Sequence, residues 1–199
     1  MKNKTVDYVL ETSYTIINME EYINSYFDMK KFHELCSKCD KYGTLWSCPP
    51  YNFNVGDYIN KYKYAYIICT KILLDDSLIK ETKKDEVINC TYKIINDVRK
   101  KLDKELLKLE KRYPDSISLF AGSCISCNTC TRLNSSLCIK PDLMRYSLES
   151  LGFDVAKTAS ELLKTEIKWA KDSLPEYFTL VSAFFTNKKD GCIQCVKKI

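Results

Sequence analysis

Histidine is almost missing from this chain: His33 is the only one in 199 residues. Any site built here has at most one imidazole to draw on. Glycine is scarce as well, at five residues. Neither G-x-G-x-x-G nor G-x-x-x-x-G-K-[ST] occurs, which removes the glycine-rich loops that cradle nucleotide phosphates. No apolar run approaches the roughly 18 residues that a membrane helix needs. The first residues, "MKNKTVDYVLETSYTII", hold no continuous apolar stretch and no small-residue cleavage site, so they do not read as a signal peptide. No linker, repeat or low-complexity segment interrupts the sequence. These absences point to one domain over 1–199, cytoplasmic and without a membrane role, its last residues 186–199 forming a polar tail.

Charge adds little. The net charge is +5, but lysines alternate with acids between Ser77 and Arg112, as on a solvated helix face. A nucleic-acid surface would be one-sided and interleaved with aromatics, so no nucleic-acid partner is expected. Hydrophobic residues make up 45% of the chain, enough for a real core.

Strands and helices alternate along the sequence. The spans 6–17, 62–74, 116–122 and 176–186 are rich in β-branched and aromatic residues and read as strands. Helices are expected from Asn18 toward Leu35, over 54–61, over 77–111, from Pro141 to Gly152 and over 155–163. On the longest, Val87, Cys90, Ile94, Val98, Leu102 and Leu106 recur at helical spacing. The expected fold is therefore α/β: a small mixed sheet with flanking helices and two cysteine-rich loops.

What the chain has in quantity is cysteine, with 11 residues. In a reducing compartment disulfides are rare, and clustered cysteines read as thiolate metal ligands. One group, Cys124, Cys127, Cys130 and Cys138, has the spacing C-x2-C-x2-C-x7-C. Two-residue gaps let a loop wrap a cubane with successive thiolates on different irons, as in bacterial ferredoxins. Zinc sites more often use two separated C-x2-C pairs. A [4Fe-4S] cluster is the expectation here, with zinc as the alternative. Phe120, Ala121 and Gly122 would end a strand just before it, where open α/β sheets gather ligands.

The other group, Cys36, Cys39 and Cys48, has only three members. Gly43 lets its loop turn, and Pro49 and Pro50 stiffen the exit. The fourth position has several candidates. His33 lies three residues before Cys36, although a lone histidine is more often a surface residue. Cys192 and Cys195, a C-x2-C pair on the tail, could close a four-cysteine zinc site with Cys36 and Cys39. A cubane with one iron free of cysteine needs no fourth ligand. A ligand exchange between the two groups is also open, because Cys48-Pro49 has the local form of the ferredoxin cysteine that ligates the other cluster. The tail pair itself reads as an accessory beyond the last strand. Cys69 and Cys90 fall on apolar stretches and read as packing residues. Arg145 and Ser147 follow the second group and could face a cluster, but a surface arginine explains Arg145 as well. Trp46 and Tyr42 could shield the first site, or simply pack.

The stretches "CSKCDKYGTLWSCPPY", "AGSCISCNTC" and "CIKPDLMRYSLESLGFDV" resemble, in order and spacing, a family of predicted metal-binding proteins known as domain of unknown function 2284. The resemblance runs from about Cys36 to Phe185 and implies a cysteine-ligated metal or iron–sulfur protein. It implies no reaction. Three functions then compete. The first is an iron–sulfur protein with two centres, acting on a small molecule by a redox step, sulfur transfer or desulfuration at an open iron. The second is an electron carrier serving a redox partner protein. The third is a zinc-stabilised interaction module. Oligomeric state is not legible.

Overall fold

The computed structural model of the protein describes residues 8–189. Four strands form one sheet: β1 (Tyr8–Asn18), β2 (Tyr64–Leu74), β3 (Ile117–Leu119) and β4 (Tyr177–Thr186), in the order β1-β2-β4-β3. The expected α/β domain with a small sheet and flanking helices is present. All three ladders are antiparallel, however, where a mixed sheet was expected. The reason lies in the strand order. β2 and β3, consecutive in sequence, run in the same direction but are not neighbours, because β4 fills the place between them and runs antiparallel to both.

Side chains on β2 alternate between two cores, as a strand covered on both faces requires. Tyr66, Ile68 and Ile72 face one core with Val98, Leu102 and Leu106 of the long helix α5 (Val87–Arg112). Ala65 and Ile67 face the other. There they meet Tyr22 of α1 (Met19–Tyr26), Ile59 of α3 (Val55–Ile59) and Ala159 of α6 (Val155–Leu162). Cys69 is buried within β2, and Cys90 is half-buried against the α5 core. Both are packed as the sequence suggested. Among the described residues no helix is long and apolar enough to cross a membrane.

Three helices differ from expectation. The one starting at Asn18 is two. Asn18 caps α1, but the chain then extends at Phe27, which bridges to Phe153. Asp28 caps a new helix, α2 (Met29–Ser37), accepting from the Lys31 amide at 2.9 Å. The helix expected over 77–111 is α4 (Asp76–Glu81), a 3-10 turn (Lys84–Glu86) and α5, because Thr82 and Lys83 are extended between them. Between Pro141 and Gly152 there are two 3-10 turns, Pro141–Leu143 and Glu149–Leu151, rather than an α-helix. The amide of Phe120 donates to the Tyr146 carbonyl at 2.9 Å and holds that residue out of helix. Ser147 and Ser150 exchange side-chain and backbone bonds that compete with a helical ladder.

These departures build the site. The second 3-10 turn packs against α2, and the Asp28 amide donates to the Gly152 carbonyl at 2.9 Å. Gly152 has φ +94, and a Cβ there would come within 3.0 Å of both Met29 and Phe27. Only glycine fits this close approach. The end of α2, the exit of β3 and the Ser147–Ser150 turn are thereby brought together.

Candidate metal centre

Cys36 sits in the last turn of α2, and Cys39 follows one turn later, its amide donating to the Cys36 carbonyl at 3.0 Å. The chain then doubles back. Gly43, at φ +70, donates its amide to the Pro49 carbonyl at 2.8 Å and closes the loop that carries Cys48. Cys36, Cys39 and Cys48 consequently line one cleft, whose far wall is Gly122, Ser123 and the Ser147–Ser150 turn with Glu149.

The second loop leaves β3 through Gly122, at φ +79. Cys124, Cys127, Cys130 and Cys138 all line a second cleft. Thr131 donates its hydroxyl to the Leu137 carbonyl at 2.8 Å, and Lys140 donates its ammonium to the Ser126 carbonyl at 2.7 Å. These bonds hold the loop without any cross-link, and all nine described cysteines are free thiols.

The two clefts are neighbours. Ser123 lines one and Cys124 the other. Beside Cys48, the Ser47 hydroxyl accepts from the Cys124 amide at 2.9 Å. The main fastener is Arg132, which rises from the second loop. Its guanidinium donates to the carbonyls of Leu45 at 2.8 Å, Cys48 at 2.6 Å and Pro50 at 2.6 Å. It also lies over the Trp46 ring, 5.2 Å from the centroid, while the Trp46 indole donates to the Ser136 carbonyl at 3.1 Å. Trp46 thus belongs to the first loop but lines the second cleft. Removing a charged donor from several carbonyls costs more than a neutral bond, though this one is partly solvated. Arg132→Ala is therefore expected to lower stability by roughly 2 kcal/mol. It should also loosen the hold of the two loops on each other. Urea unfolding and protease cleavage within the loops measure the two effects.

Burial sets the electrostatics. It pushes the Cys36 thiol up, and the nearby Cys48 and Cys39 add to this. Burial likewise raises Cys48, with the Ser47 hydroxyl, Lys41 and Arg132 pulling back. Cys36 and Cys48 are thereby held as neutral thiols, and a cation bound in the cleft would favour their thiolate forms. Glu149 is half-buried at the cleft wall, and burial pushes its carboxyl up despite its own amide, the Ser147 hydroxyl and the Arg99 guanidinium. Its Oε2 has no hydrogen-bond partner. Arg99 is only 5% exposed. It donates to the Ser123 carbonyl at 2.7 Å and lies 3.6 Å from the Asp103 carboxylate. Burial depresses the Arg99 guanidinium, while Asp103, Cys124 and Glu149 sustain its charge. It is a buried cation beside both clefts.

Other residues singled out in the sequence lie elsewhere. His33 is exposed and shares a 3.1 Å hydrogen bond with the Tyr42 hydroxyl. Tyr42 also borders the first cleft. Arg145 pairs with Glu110 and caps the Asp142 and Met144 carbonyls, so it is tied into the fold. Cys192 and Cys195 lie outside the described residues. Sequence reasoning passed over Glu149, Arg99 and Arg132. Only Arg99 carried a signal: with Asp103 it forms an i,i+4 pair abutting the apolar stripe of α5.

A family model described as predicted metal-binding protein (DUF2284) matches residues 23–183. The chain belongs to this family. The matched span runs from α1 almost to the end of β4 and contains both cysteine loops, Glu149, Arg99 and Arg132. Comparison with curated proteins and with solved structures gives no match. The family description names metal binding without a metal. Among the described residues, no three histidine, cysteine, aspartate or glutamate side chains are gathered closely enough to hold one metal ion. What the structure offers is two sets of soft thiol donors, each arranged around its own cleft.

Proposed function

We propose that this family member is an iron–sulfur protein with two adjacent centres. Cys124, Cys127, Cys130 and Cys138 would hold a [4Fe-4S] cluster. Cys36, Cys39 and Cys48 would hold a second centre with one position not taken by cysteine. The observation that carries this reading is the partition of the cysteines. Each group lines one cleft completely, and the clefts share the Gly122–Cys124 wall. The donor chemistry fits: thiolates suit iron–sulfur clusters. A cubane takes its thiolates around a perimeter, one per iron, whereas zinc needs four donors converging on a point.

A bound pair of such centres supplies one-electron chemistry at one and a coordination position for a small molecule at the other, as redox, sulfur-transfer or desulfuration reactions require. The chain's own residues do the rest. Arg132 and Ser47 fix the clefts side by side. Trp46 covers the second cleft and keeps water from it. Arg99 places a buried positive charge beside Cys124 of the second cleft and Glu149 of the first. Leu133, Leu137 and Ile139 stand exposed around the second loop, an apolar surface suited to an electron-donating partner protein.

Electron paramagnetic resonance on the anaerobically reconstituted, fully reduced protein tests the arrangement. Two interacting centres are expected, giving a broadened, split spectrum that simplifies in Cys39→Ser. A single unsplit signal unaffected by Cys39→Ser would sink the two-centre reading. A colourless protein holding stoichiometric zinc would replace it with the structural module.

A further inference from the structure

We propose that Glu149 supplies the fourth donor, an oxygen, to the centre held by Cys36, Cys39 and Cys48. This rests on the reading that the three cysteines hold a metal centre. It replaces the empty fourth position with a named residue.

The first support is placement. Glu149 lines the same cleft as the three cysteines, although it follows Cys48 by about a hundred residues in sequence. It is held there by its surroundings. Leu148 and Leu151 on either side are fully buried. The serines at 147 and 150 lock the turn, and α2, which carries Cys36, packs against it. The residue starts a rigid 3-10 turn rather than ending a long mobile loop.

The second support is the state of its carboxyl. Oε2 is buried with no hydrogen-bond partner. Buried polar atoms in folded proteins are almost always satisfied, and an exception asks for a missing ion or ligand. Arg99 acts on this carboxyl through its charge but makes no hydrogen bond to Oε2, its Nη2 going to the Ser123 carbonyl and toward the Asp103 carboxylate. The Ser147 hydroxyl and the residue's own amide hold the carboxyl in place and leave Oε2 for a ligand. A glutamate kept for a metal would look as this one does.

The third support is the count of donors. Three thiolates and one carboxylate oxygen complete the four donors, one per iron, that a cubane asks of the protein. Among the described residues, neither His33, bonded to Tyr42 and exposed, nor any fourth cysteine lines this cleft. A carboxylate is a hard donor among soft ones. It is the ligand most readily displaced by a sulfur-donor small molecule, so the position it guards stays exchangeable.

The test uses the full chain, reconstituted anaerobically with iron-57 and sulfide, as wild type, Glu149→Gln, Glu149→Cys and Cys39→Ser. Mössbauer spectra report donor type, and a ferrous chelator reports how fast iron is lost. Wild type is expected to show one iron with an oxygen-donor signature, absent in Glu149→Cys. Glu149→Gln should release that iron about tenfold faster, the usual scale for losing a group that supports a metal. Glu149→Cys should hold it at least as well as wild type. If Glu149→Gln does not fold, the wild-type and Glu149→Cys spectra decide alone. Spectra and release rates that ignore position 149, in a protein that loses metal on Cys39→Ser, would overturn the inference and leave the two-centre reading standing. A Cys39→Ser protein with unchanged metal would overturn both.

Discussion

Cys127→Ser, prepared anaerobically, is expected to lose the iron and visible absorbance of the 124–138 centre almost completely. Cys127 is the second of four thiols around one cleft. A serine hydroxyl is a far weaker ligand for iron than a thiolate, and a cluster missing one of its thiolate anchors is open to oxygen and chelators. The fold should survive. All four cysteines are only half-buried, and the loop is held independently by Arg132, Thr131 and Lys140. The neighbouring cleft keeps its three cysteines, so its metal should remain. Iron analysis and circular dichroism on the same sample separate the two effects. Full iron with an unchanged spectrum would show that the second loop does not hold the cluster.

Removing the Arg99 side chain is expected to cost about 3–5 kcal/mol at neutral pH, because it strands a buried carboxylate. Burial already pushes Asp103 up to about 6, against the pull of Arg99, from an ordinary value of 3.8. An acid whose folded value is raised favours the fold while it is protonated. That contribution is complete below about pH 4 and is lost as pH rises through 6. Arg99→Met should therefore be least destabilised at acid pH and most destabilised above pH 7. Arg99→Met combined with Asp103→Leu should recover most of the stability, because an apolar pair can replace a buried ion pair. It should not recover the redox behaviour. Arg99 is the cation that Cys124 and Glu149 sustain, and without it reduction of the cluster proposed for the second loop would become harder. A shift of roughly 40 mV to more negative potential is expected, about 1 kcal/mol for a one-electron couple. Urea titrations at several pH values and potentiometry check the two halves. A double variant with wild-type potential would confine Arg99 to a structural role.

Much of the frame was legible in the sequence, for identifiable reasons. The strands β1, β2 and β4 announce themselves through β-branched and aromatic runs, and β2 is apolar enough to sit between two cores. The apolar stripe of α5 marks its buried face. Helix ends were harder, since they depend on partners distant in sequence: Phe27 leaves α1 to meet Phe153, and Tyr146 is drawn out of helix by Phe120. The cysteine groups follow the same division. Which cysteines share a cleft could be read from local spacing, because each loop folds on itself. That the clefts share a wall could not, since it depends on Arg132, Ser47 and the route of the chain out of β3. Glu149 was hidden for the same reason. It lies in the quoted stretch "SLESLGFDV", but no ligand spacing connects it to Cys48. Only the packing of α2 against the 3-10 turn brings them together.

The most direct measurement is a count of iron, sulfide and zinc per chain in the anaerobically prepared protein, alongside Cys127→Ser and Cys39→Ser. Iron and sulfide in equal amounts are expected, with each substitution removing a separate share and zinc near zero. Stoichiometric zinc without sulfide, lost on Cys39→Ser or Cys127→Ser, would contradict the iron–sulfur assignment.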